Sequence, residues 1–202
     1  MFLAHGSPRV LLLALAATLA ARLGWGGASW RDLVPVAVIA VGWPLLEWAI
    51  HVFILHAKPR RIGAFTFDGS VPREHRAHHR DPWNDAYVFI PFHSFGYALP
   101  IVVGLCFLLT PDGGLALTSL VFFLLLTLHY EVVHFLIHTR VAPHGAYYRR
   151  LWRNHRLHHF KNEREWFGVT RLGADRLLRT DPDPERVATS PTARTLGVAP
   201  PA

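Results

Sequence analysis

Cysteine is nearly absent: Cys106 is the only one in 202 residues. One thiol cannot build a disulfide framework, a cysteine-ligated zinc site or an iron–sulfur cluster. Cys106 lies in an apolar run and reads as a small packed hydrophobe. Lysine is almost as scarce, two against nineteen arginines. Charged residues make up 17% of the chain, against 51% hydrophobic. That balance is too apolar for a soluble domain of this length and points to a membrane protein. The net charge of +7 does not imply a nucleic-acid partner, because the basic residues flank apolar spans, as in cytoplasmic loops of membrane proteins. The Arg-over-Lys, Ala-rich bias suggests a GC-rich bacterial genome, hence a bacterial inner membrane.

Four apolar stretches are present, at about Val10–Trp25, Leu33–Leu55, Phe92–Thr110 and Leu115–His138. Three are long enough to cross a bilayer as helices, at about 1.5 Å per residue. The first is shorter, with Arg22 near its end positioned to snorkel to the interface. It also resembles a cleaved secretory signal, with Arg9 ahead of the apolar run and small residues near Ala20. Pro44 predicts a kink in the second span. "PDGG" at 111–114 predicts a tight turn between the third and fourth. Six basic residues lie in the Ala57–Pro91 stretch and twelve follow His138, whereas the opposite side has only Arg31 and Arg22. The positive-inside rule then gives four crossings with both ends cytoplasmic. The expected fold is all-α: about four transmembrane helices with a cytosolic helical cap, over residues 1–180. Residues 181–202 carry Pro, Ala, Thr and charge without apolar periodicity and are expected to form a disordered tail.

Histidine is abundant, fourteen in all, and it clusters. His51 and His56 form HxxxxH; His75, His78 and His79 form HxxHH; His134 and His138 form HxxxH; His155, His158 and His159 form a second HxxHH. All four groups lie at or just beyond an expected cytoplasmic boundary. On a helix, residues i, i+3 and i+4 share a face, so HxxHH gathers three imidazoles and HxxxH two. His51 and His56 sit about 140° apart on a regular α-helix and converge only if the helix ends or distorts between them. Ten imidazoles exceed one zinc site and suit two metal ions with four or five nitrogens each. An all-nitrogen set favours iron over calcium or magnesium, with zinc an alternative on geometry alone. A basic patch for anionic lipid would need no such spacing. His5, His93 and His144 read as isolated surface residues; His129 stands as a ligand, a supporting residue or a packed polar group. Glu47 and Glu131 are intramembrane carboxylates placed to orient His51 and His134, or else to pair with an interfacial arginine. Asp81 and Asn154 flank the HxxHH words as further candidates to bond an imidazole.

The order HxxxxH, HxxHH, HxxxH, HxxHH resembles the fatty acid hydroxylase superfamily of integral-membrane di-metal oxygenases. "YEVVHFLIH" and "FGVT" are most similar to its fatty acid 2-hydroxylase branch. The resemblance covers about His51 to Gly173. It implies that the ten histidines named above are the metal ligands, with His129 outside the set. It implies two iron ions, dioxygen as co-substrate, a lipid or fatty acyl substrate and an electron donor of cytochrome b, ferredoxin or reductase type. The chain has no length for a fused cytochrome domain, so the donor is expected to be a separate protein. Trp83, Tyr87, Phe92, Trp166 and Phe167 are candidate walls of a substrate tunnel, or interfacial anchors. The alternatives are a sterol or carotenoid hydroxylase or desaturase of the same superfamily and, from another class, a membrane metal permease.

Overall fold

The computed structural model describes residues 2–199. It contains seven α-helices, α1 (Gly6–Gly24), α2 (Leu33–Ala49), α3 (Ser70–Arg80), α4 (Phe95–Leu109), α5 (Gly113–Ile137), α6 (Ala146–Phe160) and α7 (Gly173–Leu177). The only strands among the described residues are β1 (Arg60–Ile62) and β2 (Phe65–Phe67). They form an antiparallel hairpin pairing Arg60 with Phe67, closed by Gly63 at φ +61°. A side chain is strained there, and glycine is not.

Four helical segments are long and apolar enough to cross a membrane: Gly6–Gly24, Trp30–Leu55, Asp85–Leu109 and Gly113–Ile137. Their exposed leucines, valines and phenylalanines, such as Leu13, Val38, Val41, Leu108 and Leu109, would be unstable in water and are at home against acyl chains.

The chain divides into two compact units. The first comprises Met1–Trp43 and Phe89–Val132. Its core is Leu11 of α1 with Leu120 and Leu124 of α5, against which Phe95, Leu99, Val102, Val103 and Cys106 of α4 pack. Cys106 is thus packing material, as its apolar context predicts. Arg22 does not simply reach outward: it pairs with Asp32 at 2.7 Å and donates to Thr118 at 2.7 Å, tying α1 to α5 and to the turn that leads into α2. In the same unit Glu131 accepts from Ser7 Oγ (2.6 Å) and the Ile90 amide (2.8 Å).

The second unit, Pro44–Val88 and Val133–Ala202, holds every histidine of the four words. Two points in it bear on the sequence reading. Residues Ile50–Leu55, after α2, wind as a π-helix, and the His56 amide bonds the His51 carbonyl at 3.1 Å. An i→i+5 turn stacks residues five apart on one face. This is the distortion that HxxxxH requires.

The other point is the segment after 180. Its composition predicts disorder, yet Ala193 and Leu196 are buried. Ser190 N donates to the Lys161 carbonyl at 2.7 Å, Thr192 Oγ1 to Glu163 at 2.6 Å, and Arg194 Nε to the His79 carbonyl at 2.7 Å. Few apolar side chains are needed because backbone and hydroxyl groups do the docking. Residues 200–202 of the expected tail lie outside the described residues.

Candidate metal centre

The ends of α2 and α5, together with α3 and α6, contribute to one buried cluster of imidazoles. His51 and His56 come from the π-helical end of α2 and the residue after it. His75, His78 and His79 come from α3, His134 from α5, His138 from its C-terminal edge, and His155, His158 and His159 from α6. All but His56 are buried, and His78, His79, His155, His158 and His159 are wholly inaccessible. A surface patch for lipid headgroups would leave these rings in water, so that reading does not fit.

The rings sort into two groups that could each hold a metal ion: His51, His56, His75, His79 and His158, and His78, His134, His138, His155 and His159. Within each group one nitrogen per ring lies within 4.8 Å of all the others. The two HxxHH words split in opposite senses. The first sends its i, i+4 pair to one group and its i+3 ring to the other; the second does the reverse. Helix geometry accounts for the split, since i+3 falls about 60° to one side of i and i+4 about 40° to the other. His129 belongs to neither group.

The tautomers of four rings are fixed by backbone carbonyls. His51 Nδ1 lies 2.7 Å from the Phe167 oxygen, His134 Nδ1 2.7 Å from Val88, His158 Nδ1 2.7 Å from Glu165, and His79 Nδ1 2.9 Å from Ala193. A carbonyl only accepts, so each Nδ1 carries the proton and each Nε2 presents a lone pair. Glu47 and Glu131, placed by spacing to orient His51 and His134, are thus replaced in that role by Phe167 and Val88. Asn154 likewise bonds Asp181 (2.9 Å) instead of a histidine.

Glu47 acts one step removed. It accepts from the Val169 and Thr170 amides and from Thr170 Oγ1, and so fixes the strand of backbone that aims the Phe167 carbonyl. Asp175 holds the same segment through the Phe167 (3.1 Å) and Gly168 (2.7 Å) amides. A Cβ at Gly168 would sit 2.2 Å from the Arg171 carbonyl, so no larger residue fits. The word "FGVT" is therefore a support for His51. Between Glu165 and Phe167, Trp166 adopts φ +57°, a left-handed conformation that costs about 1–3 kcal/mol for a bulky residue. It lets two carbonyls two residues apart face the rings of His158 and His51. The indole is fully buried and donates to the Pro182 carbonyl at 3.2 Å, so Trp166 is a structural post and does not wall a tunnel. Phe167 does face the site, its ring centre 5.5 Å from that of His51 and 5.2 Å from that of His158. Trp83, Tyr87 and Phe92 are exposed.

Three observations show that these residues fit metal ions. First, His51, His75, His78 and His79 each bury an Nε2 that has no hydrogen-bond partner among the described residues. At about 1–3 kcal/mol apiece, four such nitrogens would consume a large share of the roughly 5–15 kcal/mol that stabilises a typical domain. Second, His155 Nε2 lies 3.1 Å from His134 Nε2, 3.1 Å from His138 Nε2 and 3.0 Å from His159 Nε2. One imidazole nitrogen has a single proton or a single lone pair and cannot serve three hydrogen bonds. Nitrogens bound about 2.1 Å from one ion at right angles do stand about 3 Å apart. Third, the rings are neutral. Burial pushes His56, His75, His78, His138, His155, His158 and His159 well below the usual imidazole range. It pushes His79 to about 3. Neutral imidazole is the form that binds metal.

The Ala193 carbonyl gives the tail a measurable role. Ending the chain after Ala188 is expected to weaken metal binding at the His79 group by about 10–100-fold, as loss of a supporting hydrogen bond to a ligand does. The other group should keep its ion. Metal analysis after dialysis against graded chelator tests this; equal retention by full-length and shortened chains would refute it.

The fatty acid hydroxylase family model matches residues 36–180, an interval that spans all four histidine words. The chain is 26% identical over 148 residues to the dihydroceramide fatty acyl 2-hydroxylase of Arabidopsis thaliana, covering 73% of this chain and 60% of that protein. It is 26% identical over 131 residues to the fatty acid 2-hydroxylases of Macaca fascicularis and Homo sapiens, covering 63% of this chain and 34% of each. The chain thus spans between a third and three fifths of the length of these relatives. A solved structure of full-length Scs7p, with only its hydroxylase domain visible, shares the fold: TM-score 0.74 at 22% identity, over 91% of this chain and 68% of that one. The helical membrane fold, the paired histidine groups and the match over most of its length together assign this chain to the fatty acid hydroxylase family.

Proposed function

We propose that the chain is a membrane non-haem di-iron oxygenase that hydroxylates the acyl chain of a fatty acid or lipid. The ten histidines would bind the two ions, five to each. The observation that carries this is the division of the rings into two five-nitrogen groups; the family match and the 2-hydroxylase relatives support an acyl substrate and attack near its head. In the overall reaction one atom of dioxygen enters a C–H bond and the other leaves as water, consuming two electrons and two protons. Bound iron would supply the dioxygen activation that an unactivated C–H bond requires.

The protein's own residues supply the rest. Carbonyls of Phe167, Val88, Glu165 and Ala193 hold four rings with their lone pairs inward. Full burial of the α6 rings keeps bulk water from the reactive centre. Phe167 offers an apolar wall beside one group. The electrons would come from a carrier protein, and the arginine-rich polar segments favour a site on the cytoplasmic face. A permease would string its ligands along a path through the membrane; two compact five-ring groups favour an enzyme.

Metal analysis of purified wild type beside His78→Ala and His158→Ala, with lipid product profiling of all three, tests the reading. About two ions per wild-type chain are expected, one fewer in each variant, and hydroxylated acyl chains only with wild type. Unchanged metal in both variants would overturn the ligand assignment. Ring-hydroxylated or desaturated products would replace the substrate, and metal uptake into vesicles without lipid products would replace the enzyme.

A further inference from the structure

A cavity of about 590 Å³ is lined by Trp83, His138, Thr139, Arg140, Trp152 and Arg156. Its size is that of a small-molecule site, typically about 300–1,000 Å³. It reaches His138, a member of one histidine group, and is otherwise built from residues that the metal centre does not use. Arg156 lies over two indoles, its guanidinium carbon 3.7 Å from the Trp152 ring centre and 4.8 Å from that of Trp83. Stacking of this kind holds the guanidinium plane and leaves its edge free to bond. That edge is poorly used within the protein. Arg156 Nε is buried without a hydrogen-bond partner among the described residues. Among the described residues Nη2 reaches only the carbonyls of Ile137 and Thr139, each at 3.5 Å, the limit of a hydrogen bond. The indole Nε1 of Trp152 is also buried and unpartnered among the described residues. Buried donors without acceptors are costly, and two of them line one cavity beside a second cation, Arg140.

We propose that this cavity is a carboxylate subsite, in which Arg156, clamped by Trp83 and Trp152, receives the head of an unesterified fatty acid. A planar guanidinium edge matches a planar carboxylate with two parallel N–H···O bonds, and Trp152 Nε1 supplies a third donor. The carbons next to the carboxylate then lie on the His138 side of the cavity. This rests on the acyl-chain reading above and sharpens it: the preferred substrate is the free acid, and the chain is gripped at its charged end. An acyl amide offers no negative charge and only one carbonyl oxygen, and gains less from the same donors.

The test is equilibrium binding of radiolabelled palmitate and hexadecanamide to the purified full-length protein in phosphatidylcholine nanodiscs. The two probes differ only in the head. Wild type is expected to prefer palmitate by about 10–100-fold, the worth of a charge-assisted bond. Arg156→Met keeps the side-chain length and should abolish that preference, with hexadecanamide binding within about twofold of wild type. Trp152→Phe keeps the ring face, removes the donor, and should weaken palmitate alone by several fold. Should Arg156→Met lose metal or fail to fold, Arg156→Lys serves: it should retain a reduced preference, lacking the fork. Equal affinity of wild type for the two probes would overturn the proposal, as would equal loss of both in the variants. So would abolition of palmitate binding by anionic phosphatidic acid in the nanodisc, which would make the oxyanion a lipid phosphate. If the preference is missing while wild type still forms hydroxylated lipids, the subsite fails and the oxygenase reading stands. If Arg156-dependent preference holds without hydroxylated product, the reverse is true.

Discussion

Replacing His155 with alanine is expected to empty the second histidine group and lower hydroxylation by more than about 100-fold, beyond the ~10–100-fold that loss of a supporting residue costs. The reason is its position. His155 Nε2 is the nitrogen on which His134, His138 and His159 converge, at 3.0–3.1 Å. Removing any other ring of that group takes away one donor; removing His155 takes away the nitrogen that the other three face. It also leaves a cavity in a fully buried position, which costs stability in its own right. The His51 group shares no ring with the second group, so metal content should fall from about two ions per chain to about one. His144→Ala provides the control, because His144 is exposed and outside both groups; it should keep both ions. The readout is metal per chain by elemental analysis, with product formation alongside. Two ions retained in His155→Ala, at wild-type chelator resistance, would contradict the grouping.

What the sequence disclosed and what it hid follow from the kind of interaction involved. Side-chain chemistry at helical spacing is written in the residues themselves. The four spans, the turn at "PDGG" and all ten clustered histidines were therefore readable from periodicity and residue type. The split of each HxxHH word between two groups was latent in the same helix geometry, since i+3 and i+4 diverge by about 100°, but it needs the partner helices to be seen. The π-helical turn at Ile50–Leu55 has no residue signature of its own. It could be inferred only from the misfit of HxxxxH to a regular helix.

Backbone chemistry left no trace. The carbonyls of Val88, Glu165, Phe167 and Ala193 orient four rings, and any residue offers a carbonyl. Spacing instead drew attention to Glu47, which accepts from Val169 and Thr170, and to Glu131, which accepts from Ser7 and Ile90. The segment after 180 misled for the same reason: its composition lacks the apolar repeat of a packed helix, while its docking rests on amide, hydroxyl and guanidinium contacts. Arg156 was counted among the basic residues of a polar segment, and its clamp of two indoles, from the loop after α3 and from α6 itself, exists only in three dimensions.

Glu47→Leu shows how far such indirect support reaches. Leucine preserves the volume and suits a membrane-spanning helix, so no clash or lipid mismatch should arise. It removes the acceptor for three donors, the Val169 and Thr170 amides and Thr170 Oγ1, all buried. Stranding buried donors costs about 1–3 kcal/mol each, so the variant is expected to lose about 3–5 kcal/mol of stability, near the cost of breaking a buried charged pair. That predicts a large drop in the thermal midpoint in detergent. The loss should be local as well as global. Freed from Glu47, the 167–170 segment no longer fixes the Phe167 carbonyl, His51 is no longer confined to the tautomer that points its lone pair inward, and the His51 group should release its ion first. Glu47→Gln retains one carbonyl acceptor and should fall between the two, recovering part of the midpoint and most of the metal. Chelator titration that strips both groups of Glu47→Leu in parallel, or a midpoint within a degree or two of wild type, would show that Glu47 does not support the site in this way.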